Sequence, residues 1–179
     1  SIQEWRAKQP SRIRWWESEA IHRDVNKRIC GKALAGADAG LLELMRKKIR
    51  QPLDRGVSVG CGNGGHEMLF IENNLVKAFD LYDISKSLIE QGEQMAADRG
   101  LTQQCNFRFE DAFSQEPTGY YDLVFWGSSL HHMPDVEQAV KWSYDSLKPG
   151  GWFVMNEYVG EDRFQWARST MTAVNIHRM

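Results

Sequence analysis

Three glycines at alternate positions, Gly60, Gly62 and Gly64, follow the short apolar run Val57-Ser58-Val59, with Cys61 and Asn63 between them and Gly65 behind. Without Cβ atoms the backbone there can take turn conformations closed to other residues, so a ligand can lie against bare peptide groups. A helical pattern opens near Gly65, and its first unpaired N–H groups favour a negatively charged group in front of them. The chemistry implied is that of holding an anion-bearing cofactor. Two spacings coexist. G-x-G-x-x-G through Gly60, Gly62 and Gly65 matches the dinucleotide fingerprint, in which the helix end receives a pyrophosphate. G-x-G-x-G through Gly60, Gly62 and Gly64 leaves a second cofactor class open, and a glycine turn without any ligand is the bland alternative.

Two acids stand where a nucleoside could use them. Asp83, followed by Ile84 and Ser85, closes the strand-like run Val76 to Tyr82, and a carboxylate at a strand's carboxyl end can accept hydrogen bonds from both ribose hydroxyls. Capping the helix that follows is its other possible role, one that Ser85 could fill equally well. Asp111, with Ala112 after it, follows the strand Asn106 to Phe109, at the same sheet edge, where an adenine amino group could donate to it; a solvent-facing loop acid is the competing reading.

The elements that must position these groups read as strands alternating with helices. Tyr121-Asp122-Leu123-Val124-Phe125-Trp126 is rich in aromatic and branched residues and predicts a fourth strand. Gly127 to Asp135 forms a loop, and a helix carrying Val136, Ala139, Val140 and Leu147 follows. Leu147-Lys148-Pro149-Gly150-Gly151 is expected to end that helix, since Pro149 cannot extend it, and Trp152 to Asn156 predicts the fifth strand.

The G-x-G-x-G loop, Asp-Leu-Val in the fourth strand, Leu130-His131-His132-Met133-Pro134-Asp135 and the Leu-Lys-Pro-Gly-Gly turn together resemble the class I S-adenosylmethionine-dependent methyltransferases, in particular the small-molecule branch of ubiquinone and natural-product methyltransferases. The resemblance covers about Val57 to Glu157 and rests on five ordered elements. It implies an α/β, Rossmann-like, doubly wound and mostly parallel sheet. It also implies S-adenosylmethionine as cofactor, S-adenosylhomocysteine as product and a small-molecule acceptor. Cofactor contacts are expected at the loop Gly60, Cys61, Gly62, Asn63 and Gly64, at Asp83 and Ile84, at Asp111 and Ala112, and at Trp126 and Gly127.

Methyl transfer is an in-line displacement at a sulfonium carbon, so the protein chiefly holds the nucleophile near the methyl group and excludes water. A hydroxyl or ammonium acceptor needs a base, and histidine suits that role. His131, just beyond the fourth strand, is the expected base, His132 its close competitor. A purely structural pair is the alternative, and Glu157 and Tyr158 are weaker candidates for substrate contact.

With 42% hydrophobic and 11% aromatic residues, the 179-residue chain has the material for one folded domain. The expected division is a helical cap over residues 1–50 and a core over 51–179. No apolar run approaches membrane-spanning length and the start lacks a signal-peptide pattern, so the expectation is a cytoplasmic enzyme with no membrane partner. Cys30, Cys61 and Cys105 form no zinc spacing or disulfide framework, and no metal is expected.

Residues 1–50 hold 12 Lys/Arg against 6 Asp/Glu, and the remainder 10 against 18. The basic residues are scattered and the fourth strand lacks the Asn/Asp-Pro-Pro-aromatic motif of base-amino DNA methyltransferases, which argues against a nucleic-acid partner. Ser11 to Cys30 shows helical spacing through Ile13, Trp16, Ala20 and Ile21, continued by Val25 and Ile29, and is expected to pack on the sheet or cover the site. Trp15 and Trp16 would supply apolar cover, with core packing the expected job of at least one of them. Gly31 to Gly40 reads as a flexible connection before a helix from Leu41 to Ile49. After the fifth strand a helix through Phe164, Trp166, Met171 and Val174 leaves no room for the family's closing pair of strands. An exposed sheet edge is then expected, to be covered by missing residues or by a homodimer partner.

Overall fold

The computed structural model describes residues 17–117 and 119–157. In chain order these form α1 (Glu19–Cys30), α2 (Ala39–Lys48), β1 (Gly56–Val59), α3 (Gly65–Glu72), β2 (Phe79–Asp83), α4 (Lys86–Asp98), β3 (Cys105–Phe109), β4 (Tyr121–Gly127), α5 (Val136–Ser146) and β5 (Leu147–Asn156). Single 3₁₀ turns at Ala112–Ser114 and Leu130–His132 follow β3 and β4. The strands make one parallel sheet in the order β3-β2-β1-β4-β5, the Rossmann-like arrangement expected from the sequence. Its order reverses between β1 and β4, and in such sheets the crevice outside the strands' carboxyl ends at that switch point receives the ligand. The tryptophans Trp15 and Trp16, Ile13 and the run from Tyr158 onward lie outside the described residues. No helix among those described is long and apolar enough to cross a membrane.

Alternation along the central strands divides the core in two. Phe79, Leu81, Leu123 and Phe125 face α2, α3 and α4, packing with Met45, Met68, Phe70 and Ile89. Val57, Val59, Val124 and Trp126 face the other way, against Ala139 and Trp142 of α5. Successive side chains of a strand point to opposite faces, so one short run serves both layers. Through Leu42, Met45 and Ile49, helix α2 and the residue after it are part of the first of these cores, which ties α2 to the sheet.

Several elements differ from the sequence reading. On α1 the buried positions are Asn26 and Cys30, whereas Val25 and Ile29 are exposed, so the predicted apolar stripe faces solvent in this part of the helix. Asn26 explains the reversal. Its amide donates to the carbonyls of Leu34 and Gly36 and its carbonyl oxygen accepts from Gly40 N–H, which pins the supposedly flexible connection. On α5 Val136 and Val140 are likewise exposed, and Ala139, Trp142, Ser143 and Ser146 are inside. That helix stops at Ser146. Leu147 already pairs with Tyr121, and the register shifts between Tyr121 and Leu123, so the Leu-Lys-Pro-Gly-Gly run is the irregular opening of β5 rather than the end of a helix. Pro149 is tolerated because a bulged entry to an outer strand of the described sheet does not need its missing N–H.

Glu67 is a charge-capable side chain in this core, 1% exposed. Ser58 Oγ donates to its Oε1 at 2.6 Å, and Oε2 has no hydrogen-bond partner among the described residues. Burial pushes the carboxyl above its ordinary value. An acid whose folded-state value is raised contributes most at low pH, and stability falls as pH climbs from the unfolded value of about 4.3 toward the folded one. Glu67→Gln, which stays neutral and keeps the shape, should therefore be more stable than the parent by on the order of 1–2 kcal/mol at pH 7, with no difference near pH 4. Urea midpoints at the two pH values check this; a gap independent of pH would mean the carboxyl is not strained.

Candidate functional site

At the carboxyl ends of β1, β2 and β3 lies a cavity of about 570 Å³, within the range that holds cofactors. Gly60, Gly62, Asp83, Ile84, Asp111 and Ala112, six of the residues expected to bind cofactor, line it together. The loop after β1 sets the floor. Gly62 has φ +58° and open space where a Cβ would be, so its peptide faces the cavity. Gly64, φ +69°, serves another purpose: a Cβ there would meet the Phe107 ring at 2.9 Å, and the glycine lets the start of α3 pack on β3.

Asp83 joins loop to strand. Its Oδ2 accepts from Gly62 N–H at 2.8 Å and its Oδ1 from Ser85 N–H at 2.7 Å. Neither bond is a helix cap; both hold the carboxylate still, and each oxygen keeps a lone pair for a further donor. Asp111 is held similarly by Phe113 N–H at 2.9 Å, exposed at the cavity's far end, with Ala112 buried beneath it. This set of acceptors and bare backbone can accommodate a nucleoside carrying an amino-acid tail. Paired acceptors for a diol stand on β2, another acceptor for an exocyclic amine stands beyond β3, and bare backbone at Gly60 and Gly62 leaves room for the tail.

Other expected contacts fall elsewhere. Trp126 is fully buried, its indole N–H donating to Ser143 Oγ at 3.0 Å, and it does not reach the cavity. Cys61 and Asn63 turn away from it, Cys61 into the core and Asn63 onto Gly65 N–H. Burial pushes the Cys61 thiol far up, which leaves it unreactive. Gly127 ends β4 beside the ring of His66, 3.7 Å from where its Cβ would lie. In place of Trp126 and Gly127, the loop after β4 presents Ser128 and Ser129, and then His132, Met133 and Pro134. Ser128 takes φ +56°, an uncommon value for a residue with a side chain, and Ser129 Oγ anchors the loop to Val59 O at 2.7 Å. Serine carries no signal of such a role; only its place after β4 could have suggested these two. Val59, Tyr82, Leu88, Glu110 and Phe113 also line the cavity.

The two histidines part company. His132 lines the cavity, whereas His131 puts Nδ1 2.7 Å from Glu157 Oε2, with the two rings 4.0 Å apart. A second histidine–carboxylate pair stands beyond the glycine loop, where His66 Nδ1 lies 2.9 Å from Asp38 Oδ2. Its hydrogen bond to Asp38 raises the His66 proton affinity above the ordinary histidine value. Asn156 Nδ2 also reaches Asp38, at 3.4 Å, so α2, α3 and β5 meet there.

Comparison with known proteins gives one family match and several relatives. Residues 57–153 match the model of a methyltransferase domain. The chain is 27% identical over 165 residues to the chloroplastic tocopherol O-methyltransferase of Arabidopsis thaliana, covering 88% of this chain and 46% of that one. It is 31% identical over 90 residues to the ubiquinone/menaquinone biosynthesis C-methyltransferase UbiE of Rickettsia felis, 48% of this chain and 34% of the relative. It therefore spans less than half the length of either. Among solved structures, the S-adenosylmethionine-dependent methyltransferase of Thiobacillus denitrificans in complex with S-adenosyl-L-homocysteine shares the fold, with a TM-score of 0.55 at 21% identity over 64% of this chain and 46% of that one.

Proposed function

The chain belongs to the methyltransferase-domain family, and on that premise we propose that it transfers a methyl group from S-adenosylmethionine to a small-molecule acceptor, oxygen being favoured over nitrogen or carbon as the nucleophile. The observation that carries the reading is the convergence of Gly60, Gly62, Asp83 and Asp111 on one cavity at the sheet's switch point. In this reading Asp83 takes the ribose hydroxyls, Asp111 the adenine amino group, and Gly60 and Gly62 leave room for the amino-acid tail. Ile84 and Pro134 would give apolar cover to the purine.

When bound, S-adenosylmethionine supplies an electrophilic methyl group on a sulfonium centre. The protein's own tasks are then orientation, exclusion of water and one proton transfer. His131 is the proposed base, taking the proton that an acceptor hydroxyl gives up; His132, facing the cavity, is the competitor. Relatives named for O-methyl and for C-methyl transfer leave the acceptor atom to experiment.

S-adenosylmethionine and S-adenosylhomocysteine should each raise the melting temperature, because a ligand that binds only the folded state stabilises it, while NAD and NADP should leave it unchanged. Stabilisation by NAD alone would reverse the assignment. Tight binding of S-adenosylhomocysteine without methylation of any acceptor in a broad panel would favour a cofactor-binding scaffold instead.

A further inference from the structure

Glu157 follows β5 directly, with its side chain 5% exposed, beside a histidine that is 42% exposed. Its Oε1 accepts two backbone N–H groups, from Ser129 and Leu130, each at 2.7 Å, and its Oε2 meets Nδ1 of His131 at the same distance. We propose that Glu157 is a positioning residue that holds the His131 ring in a single tautomer, with hydrogen on Nδ1, so that Nε2 is the atom that accepts the acceptor's proton. The proposal deepens the reading of His131 as base and rests on it.

The reasoning is one of donors and acceptors. A backbone N–H can only donate, so the two amides of the loop after β4 require an acceptor at Oε1. An ionised carboxylate has no hydrogen to give, so Oε2 accepts as well, and Nδ1 of the ring must supply the hydrogen. The neutral ring then keeps its lone pair at Nε2. When the acceptor's O–H bond breaks and an Nε2–H bond forms, the imidazolium charge lies against a carboxylate already fixed by two peptide groups, which lowers the cost of that charge without moving any atom. The same carboxylate bonds Ser129, a residue lining the cofactor cavity, so one side chain sets both the loop and the ring.

Glu157→Gln separates this from a merely structural role. The glutamine's single oxygen must still face the two amides, which turns its NH₂ toward Nδ1. The ring must then accept there and carry its hydrogen on Nε2, the wrong atom for a base. In the full chain at pH 8, long-range ¹H–¹⁵N correlation spectra of the His131 ring should show hydrogen on Nδ1 in the parent and on Nε2 in the Gln variant. S-adenosylhomocysteine affinity should stay within about twofold, and methyl transfer to any acceptor found should fall about 100-fold. Glu157→Asp, which keeps the charge, should retain the parent tautomer and part of the rate. The same tautomer in parent and Gln variant, or a rate loss matched by an equal loss of S-adenosylhomocysteine affinity, overturns the proposal. The spectra need no acceptor. A tautomer switch together with full turnover in His131→Ala would instead remove the reading of His131 as base, and with it the catalytic meaning of the lock.

Discussion

Trp126→Ala should destabilise the fold by about 3–5 kcal/mol while leaving S-adenosylhomocysteine affinity of the folded protein within about twofold. The residue sits at the end of the fourth strand, where a family pattern suggests a cofactor contact, yet its side chain is fully buried among Val57, Val59, Val124 and Trp142. Truncation would open a cavity at the centre of that layer and strip Ser143 Oγ of the indole donor it now accepts from. A whole domain is commonly stable by only about 5–15 kcal/mol, so the loss should be plain in a urea midpoint and in expression at growth temperature. Ligand titration at low temperature, where the variant is still folded, isolates the second half of the prediction. A large fall in affinity with little change in the urea midpoint would return Trp126 to the ligand.

Asp83→Ala should weaken S-adenosylhomocysteine by about 100-fold, equivalent to about 2.7 kcal/mol, the magnitude of one or two charge-assisted hydrogen bonds lost in a partly enclosed site. Asp83→Asn should be nearly as damaging, which is the more discriminating expectation. Each carboxylate oxygen receives a backbone N–H, one from Gly62 and one from Ser85. Asparagine has a single oxygen, so its NH₂ must face one of those donors, and either the loop or the helix entry gives way. Isothermal titration with S-adenosylhomocysteine and with 5′-methylthioadenosine, which keeps the ribose but lacks the amino-acid tail, should show the same fractional loss. A loss confined to S-adenosylhomocysteine would place Asp83 at the tail; undiminished binding of both would remove it from the site.

The contrast between these two residues follows from what kind of information each needs. Asp83 is recognisable from a few neighbours, because a carboxylate that ends one strand reaches the sheet's ligand edge in any parallel arrangement. Trp126 ends a strand equally well, but whether its side chain points to ligand or core depends on strand register and on which face α5 covers. The same uncertainty produced the exposed stripes on α1 and α5. Helical spacing identifies one face of a helix without saying which face is met by the rest of the molecule, and Asn26, a polar residue, turned out to be the buried anchor of α1.

What the chain determines by itself is the order of its parts: strand, glycine loop, helix, strand ending in Asp83, strand ending before Asp111, and a fourth strand running into a histidine loop. These are local matters of alternation, left-handed backbone and turn chemistry, written within spans of a few residues, and they suffice to bring Gly60, Gly62, Asp83 and Asp111 to one rim. Tertiary structure alone decided that Gly62 faces the cavity while Gly64 faces Phe107, that Ser128 and Ser129 line the cavity while Trp126 is buried in the core, and that Glu157 grips His131. Those outcomes depend on partners 26 to 70 residues apart in sequence, as between His131 and Glu157 or Ser129 and Val59. Packing a parallel sheet is what brings such distant groups within hydrogen-bonding distance.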